Sequence, residues 1–301
     1  FKVKEAGKIS GTVSYSPPSE KLYEDIAKGS KLSQIKVEKG GIIGFPLSGY
    51  LAIGSDVVEY TSVDLSNADY DVFNIDPNYA FKEDHAKDSS VKLAACVSLY
   101  DENGSKLTDT YTDGSGNYQF LGLDNGIYYV AASCFNHVTT YYGGSHGAGR
   151  SEIEISDFSE AKDKNISLDR FGCIVGKVEK NGKAVSNPDV YVSCDIWSDS
   201  WSSENVISYE NGYYVIYNLR EGKYFIKVRY TFENIPCSTV TQDVYYWSSG
   251  YQLLPKHAES VSVLMGECTE DINFSVSTGK ISGVITDEDG NGISKAYLVI
   301  Y

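Results

Sequence analysis

The feature that most constrains the fold of this chain is an internal repeat. The stretch GNYQFLGLDNGIYYV begins at Gly116 and matches GYYVIYNLREGKYFI, which begins at Gly212, in its glycines, tyrosines and leucine. A shorter block recurs as GKISGTV at Gly7, GCIVGKV at Gly172 and GKISGVI at Gly279. Self-similarity of this kind predicts several copies of one structural unit along the chain.

The spacing of the shorter block predicts units of unequal length. The block recurs after 165 residues and then after 107, so the first unit holds an insertion or small subdomain of roughly 60 residues. We therefore expect a first domain at 1–170, with the insertion at about 16–90. A second domain is expected at 171–277, and 278–301 would supply the first strands of a third.

Each unit has the pattern of a β-sandwich. Apolar and polar residues alternate along GKISGVI and along the strand after Gly126 or Gly222, which is the period of a half-buried strand. Asp-Gly and Asn-Gly pairs supply the tight turns between strands. The pattern predicts an all-β fold of tandem antiparallel sandwiches, each with about seven strands. The best candidate for a helix is a turn or two within residues 19–29.

The order of these blocks resembles the carboxypeptidase regulatory-like repeats. Those repeats share a transthyretin-like, or prealbumin-like, sandwich of Ig-like type with the Cna-B-like modules of bacterial surface proteins. The resemblance covers about 91–170, all of 171–277 and the opening of the third unit, while 16–90 has no counterpart beyond predicted strands. It implies a stalk, spacer or accessory domain of a secreted or cell-surface protein, usually without catalysis.

Charge and hydropathy exclude two classes of partner. The chain has 26 Lys and Arg against 41 Asp and Glu, a net charge of −15, whereas binding to nucleic acid requires a basic surface. The most apolar stretch, residues 40–54, is too short for a spanning helix and contains Pro46 and Ser48. We therefore expect no nucleic-acid partner and no membrane span in this fragment.

One loop contains the sequence motif that surrounds the nucleophile of many hydrolases. The stretch YYGGSHGAG contains G-x-S-x-G, with Ser145 beside His146. The second unit reads YYWSSGYQ at the same place and lacks the pattern. A nucleophile elbow also requires a strand, a turn and a helix, whereas strands are predicted on both sides here. The sequence therefore predicts a loop serine and a protein that is not an enzyme.

No metal or cofactor site is predicted. The four histidines, His85, His137, His146 and His257, follow no zinc-binding spacing. The stretch from Asp287 to Gly292 begins like a calcium loop, but no glutamate follows at the required distance and the second unit reads EKNGK there. A hairpin turn is the expected structure of this stretch.

The six cysteines fit an exported protein. Cys173 opens the first strand of the second unit, and Cys268 lies just before its last strand. Those strands can be neighbours in a sandwich of this kind, which would permit a disulfide, and unpaired thiols are the alternative. Cys134 and Cys194 are expected on the apolar faces of their strands.

Some Cna-B-like relatives crosslink a strand lysine to an asparagine with the help of a buried acid. The counterparts in this sequence are Lys177 with Asn273, or with Asn165. The strand that should carry the acid reads KYFIKVRY in the second unit. Because no carboxyl group is available there to shuttle protons, we expect no crosslink.

Three tryptophans are the candidate ligand-binding residues. Trp197 and Trp201 lie in the polar loop CDIWSDSWSSENV, and Trp247 occurs only in the second unit. Exposed tryptophans stack on sugar rings or anchor interfaces, although they can also fold back over a sandwich edge. The main hypothesis is a structural or interaction module of a larger secreted or cell-surface bacterial protein. The alternative is a carbohydrate-binding accessory region, and the partners considered are a polysaccharide or another surface protein.

Overall fold

The computed structural model describes residues 6–15, 19–38, 46, 48–64, 67, 69–145, 148–233, 239–248, 250–276 and 285–292. Within these ranges the structure consists of strands, with one turn of 3-10 helix at Pro255–His257. The first seven strands are β1 (Gly7–Ser14), β2 (Ser19–Lys21), β3 (Gln34–Glu38), β4 (Gly49–Ile53), β5 (Asp56–Asp64), β6 (Tyr70–Ile75) and β7 (Ser90–Leu93). The next eight are β8 (Cys96–Asp101), β9 (Lys106–Tyr111), β10 (Asn117–Leu123), β11 (Gly126–Ser133), β12 (Thr140–Tyr141), β13 (Ile153–Ile155), β14 (Glu160–Ala161) and β15 (Ile166–Ser167).

The remaining strands belong to the second repeat. They are β16 (Gly172–Lys180), β17 (Lys183–Ala184), β18 (Asp189–Ser193), β19 (Val206–Ser208), β20 (Tyr213–Leu219), β21 (Gly222–Glu233), β22 (Thr239–Trp247), β23 (Gly250–Gln252), β24 (Val261–Val263), β25 (Cys268–Thr269) and β26 (Phe274–Val276). The prediction of an all-β fold built from sandwich-like sheets is confirmed.

The first sandwich packs two sheets around one core. One sheet has the order β10-β1-β14, with β15 also pairing with β1, and the other has the order β12-β11-β8-β9, with β13 on β11. Strand β1 runs antiparallel to β10 but parallel to the two short strands on its other side. Ile9, Phe120 and Val130 lie in the buried cluster between the sheets, as their alternation with polar residues predicts.

The second sandwich repeats this arrangement. Its sheets have the orders β17-β16-β20-β19, with β25 and β26 on β16, and β18-β21-β22-β23, with β24 on β21. Tyr214, Ile226 and Phe274 are completely buried between them. Tyr214 takes the place that Tyr118 has in the first sandwich, and both are core residues.

The segment that the resemblance leaves out forms a six-stranded sheet of its own. Its order is β2-β7-β4-β5-β6-β3, and its core includes Leu51, Tyr60 and Phe73. The helical turn predicted for 19–29 is wrong. This stretch instead contains β2 and two isolated bridges, because Leu22 and Ile26 are both buried, and they pair with Val37 of β3 and with His85.

The two sandwiches differ in the strand that precedes β10 or β20. In the first, β9 pairs with β8, and β10 pairs only with β1 among the described residues. In the second, β19 pairs instead with β20, through Ile207 opposite Val215. The equivalent strands β9 and β19 therefore belong to different sheets. β9 extends the sheet of β8 and β11, whereas β19 extends the sheet of β16 and β20.

Side chains connect the three sheet systems. The rings of Tyr50 in β4 and Tyr111 in β9 stack with centroids 3.8 Å apart. Between the sandwiches, Phe135 packs on Tyr217 with centroids 4.7 Å apart. The side-chain oxygen of Asn136 accepts a hydrogen bond of 2.7 Å from the backbone N–H of Asn218.

Most of 278–301 lies outside the described residues, which include only the turn bridged by Thr286 and Gly292.

Candidate functional site

A buried ionisable cluster lies in the inserted sheet. The Asp56 side chain is fully buried at the start of β5, and its Oδ2 lies 2.8 Å from Nε2 of His85. Its Oδ1 accepts hydrogen bonds of 2.6 Å from the Tyr79 hydroxyl and 3.0 Å from the Lys82 backbone N–H. Burial acts to raise the pKa of Asp56, but these hydrogen bonds outweigh it and hold the pKa below its ordinary value.

This cluster also has the composition of a metal site. Ligand atoms of Asp56, Glu83 and His85 lie within 4.8 Å of one another. However, Oε1 of Glu83 already accepts the Ser55 backbone N–H at 2.7 Å. Since protein donors already bond to both oxygens of Asp56 and to one oxygen of Glu83, the cluster holds the segment of Tyr79 and His85 against the start of β5. Sequence reasoning missed this cluster because no local pattern links residues so far apart in the chain.

The three predicted tryptophans lie in different surroundings. Trp201 packs edge-on against Tyr245, with ring centroids 5.9 Å apart, and Nζ of Lys227 lies 4.6 Å from its ring centroid. Trp197 is 69% exposed and Trp247 is 36% exposed. No ring contact among the described residues joins any two of them. Trp201 is therefore part of the sandwich surface, while the Trp197 ring is mostly exposed.

Ser145 lies in a tight turn. Its N–H and C=O both bond to Ala148, at 2.9 and 2.8 Å, and His146 with Gly147 falls outside the described residues. The turn lies between β12 and β13, which both pair with β11. A strand therefore follows the serine, whereas a nucleophile elbow is followed by a helix.

The cysteines occupy several environments. The structure joins Cys173 to Cys268 in a disulfide between β16 and β25, at directly opposed positions. Cys134 packs between the core of the first sandwich and that of the inserted sheet, and burial raises the pKa of its thiol to about 12. The expectation for Cys194 is wrong: it is exposed, because it follows the end of β18. Cys237 lies outside the described residues.

The lysine and asparagines considered for a crosslink make other bonds. The Asn273 side-chain oxygen accepts the backbone N–H of Lys177 at 2.8 Å. At the equivalent position of the first sandwich, Asn165 accepts the N–H of Thr12 at 2.9 Å. The Lys177 ammonium pairs with Glu179, with 2.7 Å between Nζ and Oε1. The asparagine at this repeated position therefore accepts a backbone N–H of the first strand of each sandwich. The donor is Lys177 in the second sandwich and Thr12 in the first.

The calcium-like stretch is a self-contained turn. Oδ1 of Asp287 accepts the backbone N–H groups of Asp289 and Asn291 at 3.1 and 2.7 Å. Asp113 makes the same pair of bonds, to Ser115 and Asn117. The carboxylates thus stabilise turns, as aspartate commonly does.

A polar groove lies between the first sandwich and the inserted sheet. Its volume is about 850 Å³. The stacked pair of Tyr50 and Tyr111 forms one wall. Polar side chains of β1 and β10, the turn after β14, and Thr110 of β9 line the rest: Ser10, Thr12, Asn117, Gln119, Asn165 and Thr110. The outer edge of β10 lies along this groove.

Comparison with known protein families identifies one domain. Residues 71–170 match the family model of the SdrD B-like domain. The match starts in β6 and extends past β15, so it contains most of the first sandwich but not β1. The match supports the Cna-B-like part of the resemblance, while the carboxypeptidase regulatory-like part stays a prediction. No curated protein matches the chain.

Several solved pilin structures align with this chain at low sequence identity and low TM-score. GBS52, the minor pilin of Streptococcus agalactiae, is 11% identical with a TM-score of 0.27, and the alignment covers 94% of this chain and 100% of that one. A streptococcal ancillary pilin is 9% identical with a TM-score of 0.26, over 79% of this chain and 94% of that one. The major pilin SpaD of Corynebacterium diphtheriae is 12% identical with a TM-score of 0.23, over 82% and 68%.

The family match and the sheet topology agree. The matched residues contain strands β6 to β15, which supply one whole sheet of the first sandwich and every strand of the other sheet except β1. Among the described residues, no helix has the length and apolar character that a membrane crossing requires. Residues 71–170 are therefore similar to the SdrD B-like domain, which supports the predicted Cna-B-like, prealbumin-like domain of a secreted or cell-surface protein.

Proposed function

We propose that the chain serves as a non-catalytic stalk, spacer or scaffold of a larger bacterial surface protein. The division of the chain into a first sandwich at 1–170, a second at 171–277 and the start of a third at 278–301 is part of this proposal. The observation that carries it is the direct junction between successive sandwiches. A spacer transmits length only if its units are held at a defined angle, and buried polar contacts supply such a restraint.

The junction centres on Asn136. This residue is 5% exposed and has a φ of 56°, in the left-handed region. Its amide donates to the Phe171 carbonyl at 3.2 Å and accepts from the Asn218 N–H at 2.7 Å. The Phe171 N–H returns a bond of 2.9 Å to the Asn136 carbonyl. One side chain thus ties the end of the first sandwich to both the linker and β20.

Small-angle scattering tests the spacer role. We expect wild-type chain to scatter as one elongated conformation, and Asn136→Gly to broaden the distance distribution, because glycine keeps the positive φ but removes the amide. Asn78→Gly, in an exposed turn of the inserted sheet, is the control. Wild-type scattering that requires freely hinged sandwiches would refute a rigid spacer.

A serine-reactive probe tests the absence of catalysis. We expect no labelling of wild-type chain beyond that of Ser145→Ala, because Ser145 lies in a bridged turn between strands. Labelling that depends on Ser145 would show an enzyme instead.

The exposure of Trp197 favours a second candidate, a carbohydrate-binding accessory region. Its ring is 69% exposed, and tryptophan faces bind sugar rings. In a polysaccharide pull-down, Trp197→Ala should abolish retention if this function is correct. Trp247→Ala is the comparison variant, since Trp247 is less exposed. Lack of retention of the wild-type chain by any polysaccharide would eliminate this candidate.

A further inference from the structure

The outer edge of β10 in the first sandwich has unpaired backbone groups. Val13 donates its N–H to the Gly116 carbonyl at 2.9 Å, which sets the alternation of the antiparallel pair. Along β10, Tyr118 and Phe120 therefore direct their backbone groups to β1. Gln119 and Leu121 direct their N–H and C=O groups to the opposite, outer edge of the strand. No partner for these groups occurs among the described residues, where β10 pairs with β1 alone.

The second sandwich shows these same positions filled. Val215 corresponds to Gln119 and lies opposite Ile207 of β19. Tyr217 corresponds to Leu121 and donates its N–H to the Asn205 carbonyl at 3.0 Å. A strand of the chain itself thus satisfies in one sandwich the groups that are open in the other.

Side-chain exposure follows the same difference. Val215 is 2% exposed, in a cluster against which Ile207 of β19 packs, whereas Gln119 is exposed and Leu121 is 64% exposed. Leu107, in the neighbouring edge strand β9, is 51% exposed. A sheet edge with unpaired amides beside exposed leucines has the properties of a template for another strand.

We propose that β10 of the first sandwich is a docking edge that binds an extended segment of a partner polypeptide as an added β-strand. This inference concerns the first sandwich alone and does not depend on the spacer role. The added strand would take the place that β19 occupies on β20. It would exchange backbone hydrogen bonds with Gln119 and accept one from the Leu121 N–H.

The surroundings specify the chemistry of that segment. In the second sandwich Val206, opposite Ile216, packs against the core cluster, so the residue opposite Phe120 should be apolar. The residue opposite Gln119 would share the outer face of the sheet with Gln119 and with Ser10, the partner of Gln119 on β1, so it should be polar. The chain has a net charge of −15, which disfavours an acidic segment. We therefore expect a neutral or basic strand that alternates apolar and polar residues.

Amide hydrogen exchange with a synthetic peptide tests this docking edge. The probe is a nine-residue peptide of alternating threonine and valine with a lysine at each end, added to the full chain. We expect the amides of Gln119 and Leu121 to exchange fast in the free chain and to become protected at least tenfold with peptide. Those of Val215 and Tyr217 should be protected throughout. A peptide with proline at its central positions is the control and should protect neither.

Two variants at one position isolate the backbone contribution. Gln119→Pro removes the outward N–H without touching a bond to β1, and Gln119→Thr keeps the N–H while changing the side chain. We expect peptide affinity to fall at least tenfold in the proline variant and to stay within about threefold in the threonine variant, since main-chain hydrogen bonds supply the affinity in strand addition. The exchange measurement on wild-type chain holds even if the proline variant folds poorly.

Three results would overturn the proposal. The first is no added protection of Gln119 and Leu121 at millimolar peptide. The second is equal peptide binding by the proline and threonine variants. The third is protection that grows with chain concentration in the absence of peptide, because a second copy of the chain would then occupy the edge.

Discussion

The two sandwiches place different chemistry at one position of the same strand pair. In the first, Lys8 lies opposite Glu160 and their side chains form an ion pair of 2.9 Å. In the second, Cys173 lies opposite Cys268 and the pair is a disulfide. The same parallel strand pair forms in both sandwiches, so this contact adds stability to the pairing without specifying it.

What stays constant between the sandwiches is a buried tyrosine. The hydroxyl of Tyr118 donates to the Lys164 carbonyl at 2.6 Å, and that of Tyr214 donates to the Ile272 carbonyl at 2.6 Å. Each tyrosine thereby connects β10 or β20 to the segment that precedes the last strand of its sandwich. The comparison teaches that the buried core and the tyrosine bond recur in both units, whereas the pair at Lys8–Glu160 and Cys173–Cys268 is replaceable.

Truncation of the conserved tyrosine should give the largest effect. Tyr118 is 4% exposed and Tyr214 is 0% exposed, so Tyr118→Ala and Tyr214→Ala should each lower the free energy of unfolding by about 3–5 kcal/mol. The phenylalanine variants lose only the hydrogen bond, at about 1 kcal/mol. Urea unfolding measures both. Tolerance of Ala at one site but not at the other would break the equivalence of the sandwiches.

Removal of the disulfide should have the next largest effect. Replacing Cys173 and Cys268 together by Ala should destabilise the second sandwich by about 2–4 kcal/mol, because the crosslink restricts the unfolded chain. Lys8→Ala should cost much less, since solvent screens a surface ion pair. Unfolding in denaturant with and without reductant gives the difference. Equal losses of unfolding free energy on removal of the disulfide and of the ion pair would show that the two contacts do not differ in strength.

A proline at an outward-facing position distinguishes the edge of β10 from that of β20. Tyr217→Pro removes the N–H that bonds to Asn205 and should cost about 1–2 kcal/mol beyond Tyr217→Ala. Leu121→Pro should differ little from Leu121→Ala, because an edge N–H without a partner tolerates proline. Thermal unfolding of the four variants measures these differences. A large cost of proline at Leu121 would mean that its N–H is already paired.

Acid should weaken the Lys8–Glu160 ion pair but not the Cys173–Cys268 disulfide, and this effect is the smallest. Hydrogen bonds from Lys8 and then Lys162 lower the pKa of Glu160. Because the folded pKa lies below the unfolded one, the stabilisation is present above about pH 4.3 and is lost as pH falls through the folded value. The stability difference between wild type and Glu160→Gln should therefore shrink from pH 7 to pH 3. A difference that stays constant with pH would exclude the ion pair as its source.

Local patterns in the sequence predicted the all-β fold because strands and turns leave short-range signals. The alternation around Tyr118 and Tyr214 indicated which residues face a core, and strands β5 and β6 were also predicted from alternation. The same reasoning was wrong for residues 19–29. There, the spacing of Leu22 and Ile26 fits a helical face as well as two separate contacts with a sheet.

The sequence by itself determined the repeated strand pattern, the positions of the turns and the residues that fill both cores, because these depend on the period of side chains along one segment. Only the tertiary structure decided that β9 joins one sheet and β19 the other, since a short alternating strand can pair with either edge that it reaches. The tertiary structure alone also brought Asp56 to His85, which lie 29 residues apart. Contacts of this kind depend on the path of the whole chain, and no local pattern encodes that path.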